Sequence, residues 1–241
     1  MDAMIFAAGL GTRLGPLGQA TPKALIEIAG RTLLEHTAAR LVRAGATRIV
    51  VNVHHHAGEI ERFIAGHDLG AEVVVSREPE FPLETGGGLL HAGDLLRHDD
   101  TILLHNVDVL GSTSLDSLVA AQRAGEALVT LVVNERETAR QLLFDEIGLY
   151  GREDRRQGSR REVRRPHGQV RTLAFAGIHA CSPVLLDLIT ERGVFPILDV
   201  YLRLASEGSV IAPWLLEGDQ WLEVGTVERL EAARVSRLGS G

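Results

Sequence analysis

Short apolar runs alternate with amphipathic stretches through the first half of the chain. Residues 4–8 are apolar and run straight into Gly9-Leu10-Gly11-Thr12-Arg13, the pattern of a buried strand feeding a glycine loop. Residues 32–44 set Leu33, Leu34, Thr37, Ala38, Leu41 and Val42 on one helical stripe, with Gly45 as its C-cap. The pattern then predicts a strand over 48–53, a helix over 57–65 and a strand over 71–76. A helix over 89–96, a strand over 101–104 ending near Asp108, a helix over 114–124 and a strand over 128–133 follow. Strands alternating with helices of this length imply βαβ units. The expected fold class is α/β: a Rossmann-like, three-layer α/β/α arrangement around a mostly parallel central sheet. Ligands of such sheets bind beyond the carboxyl ends of the strands. Gly9 to Arg13, Glu84 to Gly88 and Asn106 to Asp108 lie at strand ends or a helix start, so one crevice is expected to hold all three.

The second half changes character. Residues 141–150 read as strand, turn, strand around Asp145-Glu146. The polar stretch 152–171 holds eight arginines and three acidic residues, a local net of +5 in a chain whose net charge is −7. Strands over 173–180, 209–216 and 221–224 and helices over 183–190, 196–207 and 228–238 complete the reading. There is no internal repeat and no long linker. The expectation is one domain over 1–241, divided near residue 135, with a small β-rich insertion near residues 140–180.

Composition narrows the function classes. Hydrophobic residues make up 45% and charged residues 24%, as in an ordinary globular protein. The acidic balance argues against nucleic acid as a partner. No apolar run reaches the roughly 18 residues of a membrane span, and no leader pattern opens the chain, so no membrane association is expected. Cys181 is the only cysteine, which excludes an internal disulfide and fits a cytoplasmic compartment. Of the 25 basic side chains 24 are arginine, and Lys23 is the single lysine. Base composition accounts for the arginines. The lone lysine is either a chance survivor or a position that needs a compact ammonium.

The candidate chemistry starts in the first loop. Gly9 and Gly11 let the backbone approach a ligand, and Arg13 offers a fork for phosphate oxygens; the alternative is a plain tight turn. A Walker A loop is excluded because no G-K-[ST] follows, and a dinucleotide fingerprint fails because Leu14 takes its last glycine position. A glycine- and proline-bearing loop leads on to Lys23 and could fold back to set it near Arg13. Asp108, past the end of an apolar strand, could hold Mg²⁺ against phosphate oxygens.

Phe6-Ala-Ala-Gly-Leu-Gly-Thr-Arg-Leu14, the loop, and Thr21-Pro22-Lys23 together resemble the signature of the sugar-1-phosphate nucleotidyltransferases. Length and Glu84-Thr85-Gly86-Gly87-Gly88 look most like short bacterial members, the N-acetylmuramate-1-phosphate uridylyltransferases and related guanylyltransferases. The resemblance implies Mg²⁺-dependent transfer of a nucleotidyl group from an NTP to a sugar-1-phosphate. It implies a nucleotide-binding half over about 1–135 and a sugar-binding half over about 136–241. Arg13 and Lys23 would be catalytic. Ala8, Gly9, Gly11, Thr12, Arg13, Glu84, Thr85, Gly86 and Gly87 would bind the nucleotide, with Gly86 to Gly88 as a bare platform under the base or, alternatively, a flexible turn. Asn106 and Gly177 would line the sugar, and Asp108 and Glu223 would hold the metal; the alternatives are a glycine bulge in a buried strand at Gly177 and structural pairing with an arginine at Glu223. Two positions depart from the family pattern: Val107 where similar enzymes have glycine, and Glu223 where they have aspartate. These departures motivate an alternative, a non-catalytic sensor of nucleotides or sugar nucleotides on the same scaffold. A nicotinamide dehydrogenase is disfavoured by the failed fingerprint. Base, sugar and oligomeric state stay open. His54-His55-His56 reads as a solvated loop, since neighbours on an extended chain face opposite ways. The arginine-rich stretch lacks interleaved aromatics and reads as a loop near an anionic substrate or as a solvated hairpin.

Overall fold

The computed structural model describes residues 1–216 and 221–235. Its strands are β1 (Asp2–Phe6), β2 (Glu27–Ile28), β3 (Arg31–Thr32), β4 (Arg48–Val53), β5 (Glu72–Arg77), β6 (Ile102–Asn106), β7 (Val109–Gly111), β8 (Val129–Asn134), β9 (Arg140–Phe144), β10 (Leu149–Asp154), β11 (Ser159–Glu162), β12 (Arg171–Cys181), β13 (Ile211–Leu215) and β14 (Trp221–Glu223). Its helices are α1 (Pro16–Ala20), α2 (Leu33–Arg43), α3 (Ala57–Gly66), α4 (Glu84–His91), α5 (Leu115–Ala124), α6 (Val184–Leu188), α7 (Ile197–Ser206) and α8 (Val227–Val235).

Among these residues the main sheet runs β5-β4-β1-β6-β12-β8-β13. Strands β4, β5 and β6 run parallel to β1 or to its neighbour, β12 opposes both β6 and β8, and β13 runs parallel to β8. One antiparallel strand thus interrupts a parallel sheet, the mostly parallel arrangement that the strand–helix alternation predicts. The amino-terminal part of β12 leaves this sheet and pairs with β9, which continues through β10 to β11 as the β-rich insertion. A register shift between Phe175 and His179 lets β12 serve both sheets.

The period-2 alternation of β1 divides the core. Ala3 and Ile5 face a cluster with Leu33 and Leu41 of α2 and Leu118 of α5. Met4 faces the other side, with Leu89 of α4 and Val200 of α7. Helices therefore cover both faces of the sheet. Helix α2 starts where its sequence says it should. The Thr32 hydroxyl accepts the Glu35 amide at 3.2 Å, and the Glu35 carboxylate accepts the Thr32 amide at 2.7 Å, a complete capping box.

Three differences from the sequence pattern bear on function. The helix predicted over 89–96 begins at Glu84 instead, so the glycine triplet lies inside it. Two-residue strands, the short helix α1 and the three-residue β7 carry too few positions to show a period. The closing helix is present over Val227–Val235, and the last residues predicted for it lie outside the described ones. No helix among the described residues is long and apolar enough to cross a membrane.

Candidate active site

The site forms at the carboxyl ends of β1, β4 and β6. After β1 the chain enters the glycine loop. Gly11 is left-handed at φ 64° and begins a single turn over Thr12–Leu14. Helix α1 then folds back so closely that a Cβ on Gly18 would lie 2.3 Å from the Gly11 carbonyl. This close return delivers Lys23 to the cleft, as the loop composition suggested.

Lys23 forms an ion pair with Asp108, and the two side chains are only 13% and 15% exposed. Asp108 sits in the turn between β6 and β7. Val107 pins that turn: its amide donates to the Phe6 carbonyl at 3.2 Å, its carbonyl accepts the Thr37 hydroxyl at 3.4 Å, and its side chain is buried. The branched side chain that stands where a glycine was expected thus packs into the core. Strand β7 pairs with β14, setting Glu223 opposite Val109, and the Val224 amide donates to the Asp108 carbonyl at 2.7 Å. Two carboxylates that are far apart in sequence become neighbours.

Glu223 holds two cations. Arg13 Nη2 donates to one carboxylate oxygen at 3.1 Å, and Arg229 Nη1 donates to the other at 2.9 Å. Burial works to raise this carboxyl, but the Arg13 hydrogen bond and the charges of Arg13, Arg229 and Lys23 outweigh it and hold it below its ordinary value. Arg229 has no counterpart in the sequence reading. It emerges only once α8 is seen to start beside Glu223.

A cavity of about 300 Å³ opens at the Lys23–Asp108 pair, while Arg13 and Glu223 lie outside its lining. Ala8, Gly9, Lys23, Glu84, Thr85, Asn106 and Asp108 line it, so the segments expected to share one crevice do so. Asn52 and Glu78 also line it and were not expected there. Asn52 Nδ2 donates to Glu78 Oε1 at 2.7 Å, and the Leu83 amide donates to Glu78 Oε2 at 2.9 Å, which ties β4, β5 and the start of α4 together. Glu84 adopts a left-handed φ of 60°, a conformation that costs a non-glycine residue about 1–2 kcal/mol. Behind the cleft, His105 has Nδ1 bonded to the Asn106 carbonyl at 2.7 Å and Nε2 bonded to Arg40 at 3.0 Å. Burial pushes His105 down to about 3, so it is neutral and donates from Nδ1.

Gly86 and Gly87 correct the platform expected under the base. Both amides donate to the Phe195 carbonyl, at 2.9 and 3.2 Å, and are not free to read a base edge. A Cβ on Gly86 would stand 2.5 Å from the Phe195 ring, and one on Gly87 would stand 2.5 Å from the Gly193 carbonyl. These glycines let the 193–195 segment press against α4, and neither lines the cavity; Glu84 and Thr85 do. Gly11 and Thr12 shape the loop without lining the cavity. Gly177, at φ 79°, lies against Asn106: a Cβ there would approach Asn106 Nδ2 to 2.9 Å. The two residues expected at the sugar are therefore adjacent. The Arg136 guanidinium lies over the Trp221 ring, 3.7 Å from its centroid, a second arginine that sequence spacing did not reveal.

Among the described residues no cluster of three or more His, Cys, Asp or Glu side chains could hold a metal by itself. Asp108 and Glu223 are two adjacent hard-oxygen donors. That set suits Mg²⁺, which keeps several waters and takes its other ligands from phosphates.

The arginine-rich stretch forms the β10–β11 hairpin and the return to β12. Arg164 is bonded to Asp145 at 2.5 and 2.7 Å and holds that carboxyl well below the carboxylate range. Arg152 pairs with Asp199 at 2.8 Å, Arg160 with Glu162 at 2.8 Å and Arg171 with Glu135 at 2.9 Å. His56, one of the three adjacent histidines, bonds Glu59 at 2.6 Å and the Gln19 carbonyl at 3.1 Å, as a loop residue rather than a ligand.

A family model, the MobA-like NTP transferase domain, matches residues 3–203. The chain belongs to this family. An N-acetylmuramate alpha-1-phosphate uridylyltransferase of Caulobacter vibrioides is 33% identical over 96% of this chain and 97% of its own length. A mannose-1-phosphate guanyltransferase beta-A of Xenopus laevis is 28% identical over 93% of this chain, which spans 61% of that protein. The inositol-1-phosphate CTP transferase from T. maritima has the same fold, with a TM-score of 0.77 at 17% identity, covering 99% of this chain and 94% of that one. The resemblance carried by the first loop thus holds along the whole chain. This MobA-like transferase is an enzyme of the sugar-1-phosphate nucleotidyltransferase class.

Proposed function

We propose that this transferase moves the uridylyl group of UTP to a sugar-1-phosphate, in a Mg²⁺-dependent reaction that gives a UDP-sugar and pyrophosphate. The observation that carries the reading is the paired arrangement of two cations and two carboxylates: Lys23 with Asp108 in the lining of the cavity at the sheet's carboxyl edge, and Arg13 with Glu223 joined to that turn through the β7–β14 pairing. The choice of uracil rests on the uridylyltransferase that aligns end to end with the chain. In this reading nucleotide binding falls to about 1–135 and sugar binding to about 136–241. The reading requires a compartment that supplies NTP, the cytoplasm.

The sugar phosphate is already an anion, so its oxygen attacks the α-phosphorus in line without a general base, and pyrophosphate leaves. Catalysis is then positioning and charge neutralisation. Lys23, a compact ammonium held in a nearly buried position, neutralises the reacting phosphates. Arg13, the more exposed of the two, takes the departing pyrophosphate with its fork. Ala8, Gly9, Glu84 and Thr85 bound the nucleotide, while Gly11 and Thr12 hold the loop in shape. Gly86 and Gly87 support α4 behind it. Asn106 and Gly177 bound the sugar. Asp108 and Glu223 would hold Mg²⁺, which when bound supplies positive charge across the phosphates. Substrate phosphates that draw Lys23 and Arg13 away would open Asp108 and one oxygen of Glu223 to the metal, with Arg229 keeping the other oxygen.

The test is pyrophosphate release with each of the four NTPs against N-acetylmuramate-1-phosphate, mannose-1-phosphate and glucose-1-phosphate, with and without Mg²⁺. Turnover restricted to UTP and abolished by chelation is the expected result. Turnover confined to GTP would overturn the uracil assignment, and no turnover with any pair would overturn the reaction.

A further inference from the structure

Arg136 has a chemistry that nothing described so far uses. Its guanidinium lies 3.7 Å from the centroid of the Trp221 ring, and Nη2 donates to the Phe175 carbonyl at 3.0 Å. Nε and Nη1 are buried and have no hydrogen-bond partner among the described residues. Those two nitrogens carry three of the five N–H bonds of a guanidinium. Leaving charged donors buried and unmade is costly, and native proteins keep few such groups without a reason.

Among the described residues the neighbouring carboxylates are already engaged. Both oxygens of Glu223 are engaged by Arg13 and Arg229, and Glu135, next to Arg136 in sequence, is paired with Arg171. Burial pushes the guanidinium below its ordinary value while the charge of Glu223 opposes this. The site is therefore within electrostatic reach of the carboxylate that faces the phosphates.

Its position in the fold points the same way. Trp221 and Glu223 are alternate residues of β14 and share one face of the strand. Trp221 is fixed by donating its indole N–H to the Ala176 carbonyl at 2.9 Å. Phe175 and Ala176 belong to the β12 register shift that also carries Gly177, adjacent to Asn106. Arg136 thus lies between the Trp221 ring and β12, the strand that carries Gly177, just outside the lining of the cavity.

We propose that Arg136 is an oxyanion subsite of the sugar half of the cleft, taking either a carboxylate carried by the sugar or the 1-phosphate itself. The proposal rests on the sugar-1-phosphate nucleotidyltransferase reading and deepens it. A carboxylate-bearing sugar would be preferred if the first source is right, and the phosphate would be gripped from a second side if the second is.

The experiment is direct binding, by calorimetry and by quenching of tryptophan fluorescence, of N-acetylmuramate-1-phosphate and N-acetylglucosamine-1-phosphate to the wild type and to Arg136→Gln. These ligands differ only by the carboxylate-bearing lactyl group. Loss of about 10–100-fold in affinity for the first ligand alone assigns the carboxylate. Equal losses for both assign the phosphate. UTP binding is expected to stay unchanged. Wild-type affinity of the variant for both sugars, or a loss confined to UTP, overturns the subsite. Arg136→Lys, which keeps the charge and the ring contact but not the fork, should fall between, and it serves if the glutamine variant does not fold. If no NTP and sugar pair turns over while the binding difference persists, the reaction fails and the subsite stands. If turnover proceeds and Arg136→Gln changes neither sugar, the reverse holds.

Discussion

Lys23 and Asp108 are joined in an ion pair that is almost wholly withdrawn from solvent. Each partner has a second employer in the proposed reaction, phosphate for the lysine and Mg²⁺ for the aspartate, so removing either has opposite effects on nucleotide binding. Lys23→Met is expected to cost on the order of 10²–10³ in turnover and to weaken UTP binding. Asp108→Asn is expected to cost a similar factor in turnover but to tighten UTP binding without metal, because the ammonium loses its internal competitor. Lys23→Arg should not rescue, since a planar fork does not replace a point charge in a nearly closed position. Pyrophosphate release and calorimetric titration of UTP check all three. Weakened metal-free UTP binding by Asp108→Asn would sink the competition.

The glycines of α4 give a prediction about stability. A Cβ on Gly86 meets the Phe195 ring at 2.5 Å and its carbonyl oxygen at 2.8 Å, and backbone cannot step aside cheaply. Gly86→Ala should destabilise by about 1–3 kcal/mol, as overpacked sites do. Gly58, in α3, has nothing within 4 Å of its built Cβ, so Gly58→Ala should be neutral or stabilise by up to about 1 kcal/mol. Urea unfolding of the two variants reads both signs. Equal midpoints would show that the 193–195 segment moves freely away from α4.

How much of this was legible in the sequence follows from the size of each signal. Strands with five or six consecutive buried positions, such as Arg48–Val53, declare themselves, and so does α2, whose stripe and capping box agree. The loop motif placed Arg13 and Lys23, because glycine and proline leave a readable punctuation. The Glu84 segment misled for a physical reason: glycine triplets signal backbone exposure in the sequence, whereas here the missing side chains make room for Phe195 and Gly193. Arg136 and Arg229 had no signal. Each earns its place through a partner far away or on another element, Phe175 and Trp221 for the first and Glu223 for the second, and spacing along the chain does not encode that.

Two buried histidines predict how stability depends on pH. His105 and His179 are both pushed by burial from 6.5 down to about 3, and His179 is bonded to the Tyr201 hydroxyl at 2.7 Å. Between those values the unfolded chain binds a proton at each site that the folded chain refuses, so stability falls as pH drops below about 6.5. The expected slope is about 1.4 kcal/mol per pH unit for each histidine. Between pH 5 and 6 the ordinary carboxylates are still ionised, so this range isolates the effect. Urea unfolding at half-unit steps should show the slope reduced by about that amount in His179→Asn. An unchanged slope in that variant would mean that His179 accepts its proton without unfolding.

Glu223 is the sharpest test of the metal site, because it stands where similar enzymes carry the shorter aspartate. Its two oxygens are each bonded to an arginine, Arg13 at 3.1 Å and Arg229 at 2.9 Å. Its strand is registered against β7, so the carboxylate cannot drift far from Asp108. Glu223→Gln keeps the length and the packing but removes the charge that both arginines and a divalent cation require. Turnover should fall on the order of 10²–10³, and the Mg²⁺ concentration for half-maximal rate should rise about tenfold or more. Glu223→Asp keeps the charge and loses one methylene. With two oxygens still able to meet a cation, it should retain turnover within about tenfold of wild type and a near-normal Mg²⁺ requirement. Rates measured across a Mg²⁺ titration for both variants separate charge from reach. A Mg²⁺ requirement in Glu223→Gln equal to that of wild type would leave the carboxylate as a structural partner of Arg13 and Arg229 alone.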